Sequence, residues 1–350
     1  MPAELPTMRA DKGLLAVLRG ERRDPVPMWM MRQAGRYLPE YRQLRQEKGS
    51  FLELVYDPES AAEITLQPLK RFPELDAAIL FSDILIVPFA IGQNLTFISG
   101  EGPRLTPRLI DAALDDLTAY PARLDPIYET VRKVKAALGA DKTLIGFSGS
   151  PWTVATYMVA GQGSRDQSEA RRLAYADPAR FSEIVERIEA VTLDYLSGQV
   201  EAGAEAVQLF DSWAGSLSPA HFEQWVVAPT KRLVEALKSR HPDVPIIGFP
   251  KGAGGKLAAY AAGTGVSAIG IDETVDVAWA AKELPDGLPV QGNLDPLALL
   301  AGGVPLTDAV ARILDAVAGR PHIFNLGHGI LQDTPIGHVE QLIALVKRGK

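Results

Sequence analysis

The clearest absence from this sequence is cysteine, of which its 350 residues contain none. Disulfides, thiolate zinc sites, iron–sulfur clusters and cysteine nucleophiles are therefore excluded. Positive charge is also in short supply, because 36 lysine and arginine residues stand against 43 aspartate and glutamate residues. Binding to nucleic acid needs a broad basic surface, so we expect no nucleic-acid partner.

Long apolar runs are missing as well. No stretch approaches the roughly 20 residues that span a membrane, and the first residues, MPAELPTMRADKG, lack the basic and apolar regions of a secretory signal. The histidines are scattered without the spacing of metal ligands. We therefore expect a soluble, cytoplasmic protein that has no membrane partner and no metal.

The scarce positive charge is concentrated between Met28 and Arg45, in the segment MWMMRQAGRYLPEYRQLR. Gly35 and Pro39 prevent this segment from forming one helix. Arg42 and Arg45 are three residues apart in a helix that begins near Pro39, where a solvated face is the ordinary interpretation.

Arg32 and Arg36 differ from the other two arginines in that segment. They flank the small residues Gln33, Ala34 and Gly35, which form a turn after the apolar run 26–30. The pattern alone leaves open whether these two side chains bind an anion or are merely solvated.

Apolar runs and amphipathic helical patterns alternate along the rest of the chain. The predicted strands cover residues 26–30, 76–81, 143–147, 206–210, 244–249, 266–271, 288–291 and 322–325. The predicted helices cover residues 9–20, 39–48, 58–72, 126–138, 151–158, 168–176, 179–202, 218–240, 254–262, 274–283, 296–301, 306–318 and 336–347. The segment after Asp83 is predicted to be a pocket-lining loop with a small hairpin, because Pro88 and Gly92 interrupt it.

This alternation predicts an α/β fold with parallel strands and right-handed crossovers. Eight units favour a single closed (β/α)8 TIM barrel over an open sheet, and residues 1–350 carry no linker that would divide them into domains. A barrel has its active site at the C-terminal ends of its strands. The polar residues at those predicted ends are Arg32, Arg36, Ser82, Asp83, Ser148, Ser150, Asp211, Ser212, Asp272, Asn293 and His328, together with Pro250.

Asp83 is the most informative of these residues because apolar stretches surround it. It is either a helix cap or ion-pair partner, or the fixed anion of a pocket. We expect its carboxylate to be ionised, on the argument that neighbouring arginines lower its pKa more than burial raises it. An ionised carboxylate there would stabilise a cation that develops during a reaction.

Other strand-end residues have both structural and functional interpretations. His328 lies between Gly327 and Gly329, so it is either a loop histidine or a side chain over the barrel mouth. Tyr157 either packs in the core or points into the barrel mouth. Ser212 can donate a hydrogen bond to a carboxylate ligand. Ser150 is predicted to cap the helix that starts at Pro151. The glycine-rich segment 252–256 lacks the Walker spacing and is predicted to be a tight turn.

Several short motifs are distinctive, namely MRQAGRYLPEYR, FSDIL, GSPWTVATYM, FDSW, GFPKG, QGNLDP and NLGHG. Taken together, these motifs resemble one enzyme family, the uroporphyrinogen decarboxylases. They occur in order along the whole chain and fall at the predicted strand ends. Each string alone is weak, but their joint occurrence at those positions is a specific signal.

The resemblance implies a carboxy-lyase of haem and chlorophyll biosynthesis. Such an enzyme removes carbon dioxide from the four acetate side chains of uroporphyrinogen III and yields coproporphyrinogen III, with no cofactor. It also implies a homodimer in the cytoplasm. The resemblance then explains the concentration of arginines in an acidic protein. The tetrapyrrole substrate carries eight carboxylates, and a guanidinium binds a carboxylate with two hydrogen bonds.

The resemblance also assigns roles to residues. Asp83 and Arg32 are the expected catalytic residues, Asp83 as the anion that stabilises a cationic pyrrole and Arg32 on the path of proton donation. The residues expected to bind the substrate are Arg32, Gln33, Ala34, Gly35, Arg36, Arg45, Asp83, Tyr157, Ser212 and His328.

Two other functions compete with this one. A methyltransferase related to cobalamin-independent methionine synthase would share the fold but need a zinc site with cysteine ligands, and the chain has no cysteine. A tetrapyrrole carrier without catalysis would keep the arginines and tolerate the loss of the Asp83 carboxylate.

Overall fold

The computed structural model describes residues 12–98 and 100–348. Its main sheet has seven parallel strands in the order β1-β4-β5-β6-β7-β8-β9, and a two-stranded antiparallel hairpin, β2-β3, lies outside it. The strands are β1 (Ala77–Ile79), β2 (Asn94–Ile98), β3 (Gly102–Thr106), β4 (Thr143–Gly149), β5 (Ala206–Asp211), β6 (Ile246–Pro250), β7 (Ala268–Gly270), β8 (Val290–Leu294) and β9 (His322–Leu326).

Helices connect successive strands of the main sheet. They are α1 (Gly13–Leu18), α2 (Pro39–Lys48), α3 (Phe51–Tyr56), α4 (Pro58–Arg71), α5 (Ile86–Ile91), α6 (Asp125–Ala137), α7 (Pro151–Ala160), α8 (Ser168–Ala176), α9 (Pro178–Ala202), α10 (Pro219–Phe222), α11 (Ala228–Arg240), α12 (Leu257–Thr264), α13 (Val277–Glu283), α14 (Pro296–Ala301), α15 (Gly303–Ala316) and α16 (Ile336–Lys347). The strands of the main sheet are almost wholly buried, as expected for parallel strands covered by helices. No helix among the described residues is both long and apolar enough to cross a membrane.

The predicted first strand, residues 26–30, is wrong as a strand. Met28 makes a single parallel bridge with Phe324 of β9. The backbone N–H of Phe324 donates to the carbonyl of Pro27 at 2.9 Å, and on the other side the N–H of Asp76 donates to the carbonyl of Met28 at 2.9 Å. Pro25 and Pro27 have no N–H to donate, so a longer ladder cannot form. The sheet therefore has seven strands, and the segment 27–29 contacts both of its edges.

Two further predictions differ from the structure. The segment after Asp83 forms the helix α5, with Pro88 in its first turn, where the missing N–H would have no partner within the helix. The hairpin predicted there is present as β2-β3. The helix predicted at 218–240 is interrupted by a π turn at Glu223–Val227, because Pro229 cannot continue regular α-helical bonding.

A chain of polar side chains crosses the buried interior of the sheet. The indole Nε1 of Trp29 donates to Gln291 Oε1 at 2.9 Å, and Gln291 Nε2 donates to Gln208 Oε1 at 3.0 Å. All three side chains are fully buried. These bonds link the segment 27–29 to β8 and β5, so the N-terminal segment is fixed from the inside as well as at both sheet edges.

Candidate functional site

The candidate site lies where the C-terminal ends of the parallel strands meet. Arg32 follows the segment 27–29, Asp83 follows β1 and Tyr157 lies on the helix after β4. Ser212 follows β5 directly, and His328 follows β9. These residues come from distant parts of the chain but lie at the same end of the sheet, where its parallel strands have their C-termini. This agrees with the strand-end rule, by which the active site of such a fold lies at the C-terminal ends of the strands.

Arg32 has an unusual backbone. Its φ of +59° lies in the left-handed region that non-glycine residues seldom adopt. Its aliphatic stem packs directly over Gly329, where an added Cβ would collide with Arg32 Cδ. Its guanidinium is exposed and makes no hydrogen bond with any residue of the described ranges. The backbone and Gly329 thus orient a charged group that has no hydrogen-bonded partner of its own.

The rest of the arginine loop divides into supporting and exposed parts. Gln33 is fully buried and accepts from Met30 N at 3.0 Å while donating to Ala77 O at 2.9 Å, so we expect its side chain to hold the loop against β1. Ala34 and Gly35 are half-buried, and Arg36 is exposed.

The two arginines of α2 lie in different surroundings. Arg42 is exposed on the helix and donates to the carbonyl of Arg36 at 3.1 Å, as a solvated helix residue can. Arg45 is half-buried, with its guanidinium carbon 5.8 Å from the centre of the Phe51 ring. Its Nη1 is buried without a hydrogen-bond partner in the part of the chain described here.

Asp83 is a half-buried carboxylate held at one oxygen. Its Oδ1 accepts the backbone N–H of Leu85 at 2.8 Å, and Oδ2 makes no hydrogen bond within residues 12–98 and 100–348. Burial raises the pKa of Asp83 to about 6, although the Leu85 bond and the positive charge of Arg32 oppose the rise. The expectation that neighbouring arginines outweigh burial is therefore wrong. At neutral pH the carboxylate is still mostly ionised, at a free-energy cost.

Tyr157 lies near both Asp83 and Arg32. Burial raises its pKa, the negative charge of Asp83 raises it further and the positive charge of Arg32 lowers it, so the phenol is a proton donor at neutral pH. Its ring centre is 6.3 Å from that of Trp213. Tyr157 is half-buried, and a hydrogen bond with the Trp213 side chain also acts to lower its pKa.

A buried hydrogen-bond network joins α7, the helix of Tyr157, to the residues at the end of β5. Thr153, one turn before Tyr157 on α7, donates to Asp211 Oδ1 at 2.5 Å and accepts the N–H of Trp213 at 3.1 Å. Burial raises the pKa of Asp211 to about 7 against the effect of the Thr153 bonds, and its Oδ2 has no partner among the described residues. Ser212, between these anchors, is half-buried and available to a ligand.

Ser150 shows a limit of the capping prediction. It occupies the N-cap position of α7 with Pro151 behind it, but its hydroxyl makes no capping bond and is buried without a partner among the described residues. The predicted position is confirmed and the predicted bond is wrong.

His328 is a half-buried histidine beside two cations. Burial lowers its pKa to about 4, and the positive charges of Lys251 and Arg32 lower it further, while Asp272 opposes them. The imidazole is therefore neutral at physiological pH, with one N–H donor and one acceptor. The predicted tight turn at 252–256 is confirmed, because Gly252 has a φ of +72° and Gly254–Lys256 forms a 3-10 turn.

The structure thus brings Arg32, Asp83 and Tyr157 into mutual electrostatic range, and His328 into range of Arg32. Nothing comparable connects Arg45 to the four. Lys251 was missed, although it belongs to the quoted GFPKG motif and follows the strand end by one residue. No group of three or more potential metal ligands exists among residues 12–98 and 100–348.

What this site can do follows from its groups. It offers an exposed guanidinium, a neutral imidazole, a phenol and a hydroxyl, all of which can bind carboxylates. It also offers one partly desolvated carboxylate with a free oxygen, which suits a cationic or N–H-bearing group. A ligand that carries several carboxylates and develops a local positive charge during the reaction would match both the carboxylate-binding groups and the Asp83 carboxylate.

Known proteins resemble this chain over nearly its whole length. The sequence profile of the family described as uroporphyrinogen decarboxylase (URO-D) matches residues 9–349. A protein named uroporphyrinogen decarboxylase from Rhizorhabdus wittichii is 68% identical over 334 residues, covering 95% of this chain and 97% of the relative. A protein of the same name from Sphingopyxis alaskensis is 65% identical over 338 residues, covering 97% of this chain and 98% of the relative.

Solved structures share the fold at lower identity. A methyltransferase from Methanosarcina mazei superposes with a TM-score of 0.78 at 20% identity, covering 96% of this chain and 97% of its own. A B12-independent methionine synthase from Shewanella has a TM-score of 0.56 at 10% identity, covering 93% and 94%. These likenesses support the α/β architecture, whereas the family is shown by the profile and by the curated relatives. The chain belongs to the uroporphyrinogen decarboxylase family.

Proposed function

We propose that this protein decarboxylates the four acetate side chains of uroporphyrinogen III to methyl groups and so produces coproporphyrinogen III for porphyrin and haem biosynthesis. Family membership over residues 9–349 supports the substrate class. The observation that carries the proposal is the partly desolvated Asp83 carboxylate among groups that can bind carboxylates.

The reaction needs a place for the electrons of the breaking carbon–carbon bond. In the proposed mechanism the pyrrole takes a proton at a ring carbon and becomes cationic. The acetate C–C bond then breaks, its electron pair neutralises the ring, and carbon dioxide leaves. The exocyclic methylene that remains takes a proton to become methyl as the ring carbon gives its proton back. The net change is the replacement of carbon dioxide by one proton, with no cofactor.

Asp83 is proposed to stabilise the cationic pyrrole. One of its oxygens is fixed by Leu85, and the free Oδ2 can accept pyrrole N–H groups. A carboxylate that burial destabilises gains more from a nearby cation than a solvated one does, because the local dielectric constant is low. The raised pKa of Asp83 therefore supports a carboxylate whose ionised form is stabilised when a positive charge forms beside it.

Arg32 is proposed to bind a substrate carboxylate and to lie on the path of proton donation. A guanidinium keeps its proton up to a pH of about 12 and is therefore a very weak acid. A water held by Arg32 or a carboxylic acid of the substrate is the chemically easier proton donor. Arg36, Tyr157, Ser212 and His328 are proposed to bind the remaining carboxylates, with Arg45 and the backbone of 33–35 as further contacts.

Architecture and assembly enter the proposal too. We propose that the segment 27–29 takes the eighth position and closes the sheet into a (β/α)8 barrel, with residues 1–350 as one domain. The hydrogen bonds of that segment to β9 and to Asp76 support closure. A cytoplasmic homodimer is proposed from the family. Light scattering at working concentration tests the dimer, and a monomeric mass would exclude it.

The decisive experiment replaces Asp83 with alanine. Purified variant and wild type are incubated anaerobically with uroporphyrinogen III, and carboxyl loss is followed by chromatography of the oxidised porphyrins. Loss of an electrostatic group of this kind is expected to lower turnover by roughly 100-fold or more. Asp308→Ala, which removes an exposed carboxylate of α15, is the control and is expected to be fully active.

The same experiment separates the enzyme from a carrier. If the protein is a carrier, wild type and Asp83→Ala should both bind the tetrapyrrole, and neither should produce coproporphyrinogen. If Asp83→Ala decarboxylates the substrate as fast as wild type does, the protein is an enzyme but the proposed role of Asp83 is refuted.

A further inference from the structure

Lys251 lies in a turn that is fixed on three sides. It follows β6 directly, and its N–H donates to the carbonyl of Asp211 at 3.0 Å. Its carbonyl accepts the N–H of Gly215 at 3.0 Å, and the next N–H, that of Gly252, donates to Asp272 Oδ2 at 2.7 Å. The backbone of Lys251 is therefore placed by contacts with the ends of β5 and β7.

The side chain of Lys251 has none of the partners that its neighbour has. Lys256, in the same turn, donates to the carbonyls of Leu217 at 2.7 Å and Gly215 at 3.2 Å. The ammonium of Lys251 makes no hydrogen bond or ion pair with the described residues, although the side chain is half-buried. A partly buried cation held by a rigid turn without an anion is an unusual arrangement, because burial of unpaired charge costs free energy.

In the proposed closed barrel, the strand order puts Lys251 across from Arg32 at the mouth, where the C-terminal ends of the strands meet. β6 is the central strand of the seven, whereas the segment that precedes Arg32 is bonded to both sheet edges. Both cations lie close enough to the imidazole of His328 for their charges to lower its pKa. Asp272 is an acid whose charge acts on His328, but its Oδ2 accepts the N–H of Gly252 and its Oδ1 accepts the N–H of Thr274 at 2.9 Å.

We propose that Lys251 is a further substrate-binding residue, which holds a carboxylate of the tetrapyrrole on the wall of the mouth opposite Arg32. The proposal rests on the proposed function, because it needs a ligand with carboxylates on several sides of one ring. Carboxylates that surround a macrocycle require cations on both walls, and Arg32 and Arg36 supply only one. Bound there, the carboxylate also offsets the two cations beside His328.

The test compares Lys251→Met with Lys282→Met. Methionine keeps the apolar stem of Lys251 and removes the charge, while Lys282 has 83% of its side chain exposed and is the matched control. For Lys251→Met we expect kcat/KM for uroporphyrinogen III to fall roughly 10- to 100-fold, mainly through KM, because one charge-assisted contact is lost. Lys251→Arg is expected to keep most of the activity. A KM within twofold of wild type for Lys251→Met would overturn the proposal.

Binding without turnover keeps this test separate from the proposed function. Uroporphyrin III retains all eight carboxylates and is fluorescent, so its Kd can be measured even for a protein that does not decarboxylate. The Kd should rise in Lys251→Met and stay unchanged in Lys282→Met. Equal Kd values for Lys251→Met and wild type would overturn the binding role whatever the activity.

A further readout depends on neither turnover nor the measured affinity. NMR titration of His328, assigned with His328→Gln, should show its pKa rise when saturating uroporphyrin III places a carboxylate between Lys251 and Arg32. In ligand-free Lys251→Met the same pKa should also rise, because a neighbouring cation is gone. A His328 pKa that responds to neither change would mean that Lys251 does not face the site.

Discussion

At the scale of single residues, Asp83 combines two opposing requirements. It must be charged to stabilise a cation, yet its surroundings favour the neutral form, and its pKa rises from 3.8 to about 6. A carboxyl group with a raised native pKa contributes stability that is complete below the unfolded pKa and is lost as the pH rises through the native pKa. Above pH ~6 the protein therefore carries a charge that supports catalysis and weakens the fold.

This opposition predicts that Asp83→Asn is more stable than wild type at high pH. Asparagine keeps an oxygen for the Leu85 N–H and has no charge to desolvate. At pH ~8 we expect the free energy of unfolding to increase by on the order of 1–3 kcal/mol, and at pH ~4 the gain should nearly vanish. Urea denaturation at both pH values measures it.

The control for this prediction is Asp308→Asn, whose exposed side chain should leave stability unchanged at either pH. Activity should disappear in Asp83→Asn at every pH. A variant less stable than wild type at pH ~8 would show that burial does not dominate at Asp83.

At the scale of elements, the loop after β9 contains two glycines with different neighbours. A Cβ at Gly329 would meet the flexible stem of Arg32, whereas a Cβ at Gly327 would meet the backbone of Glu273. A side chain can rotate away, but a backbone that belongs to another strand end cannot. The two positions therefore separate a functional contact from a structural one.

We predict opposite outcomes for alanine at these two glycines. Gly329→Ala should lower kcat/KM about tenfold by displacing Arg32, with unfolding free energy within about 1 kcal/mol of wild type. Gly327→Ala should destabilise the protein by about 1–3 kcal/mol through overpacking. Thermal unfolding and the decarboxylation assay, run on both variants, check the pair. If Gly329→Ala is fully active, Arg32 is not positioned by this contact.

Elements with local signals were predictable from sequence. The bounds of α2, α14 and α16 agree with the predictions, because prolines at or beside their first turns and apolar spacing mark them without help from the rest of the chain. The segment 26–30 failed as a strand because its pairing depends on partners at Asp76 and Phe324 and on prolines that limit the ladder. α5 was missed because a short apolar run fits a helix or a strand equally well.

The site divides in the same way. Arg32, Asp83 and His328 could be placed together from the strand-end rule, which needs only the order of elements. Tyr157, on the helix after β4, was assigned to the site only by the family resemblance. The pKa of Asp83 could not be predicted, since burial is set by packing between elements. Burial outweighs the positive charge of Arg32, whereas the sequence suggested that neighbouring arginines would outweigh burial. Lys251 was overlooked because it directly precedes the segment 252–256, which was interpreted as a turn, and the lack of an anionic partner is visible only in three dimensions.

At the scale of the whole molecule, Asp76 joins parts of the chain that lie far apart in sequence. Its Oδ2 accepts the N–H of Met28 at 2.6 Å and the ammonium of Lys347, from α16, at 2.5 Å. Its backbone N–H and carbonyl bond Met28 and Thr143 at 2.9 Å each. One residue thus ties the N-terminal segment, the first strand and the C-terminal helix together.

We predict that Asp76→Ala lowers the free energy of unfolding by about 2–4 kcal/mol, because two charge-assisted bonds to partly buried groups are lost. Glu235→Ala, which removes an exposed ion pair with Lys231 on α11, should cost no more than about 1 kcal/mol. Chemical denaturation compares the two variants. Equal losses would mean that the junction at Asp76 contributes no more than an ordinary surface pair.

The left-handed backbone of Arg32 restricts how this fold can diverge. Only glycine and, less readily, asparagine or aspartate adopt a φ near +59° without strain, and none of them is a cation. A mutation away from arginine that suits the backbone therefore removes the charge in the same step. Restoring the charge would put arginine back into a backbone conformation that it disfavours, so the reverse substitution costs the backbone free energy that the forward one releases.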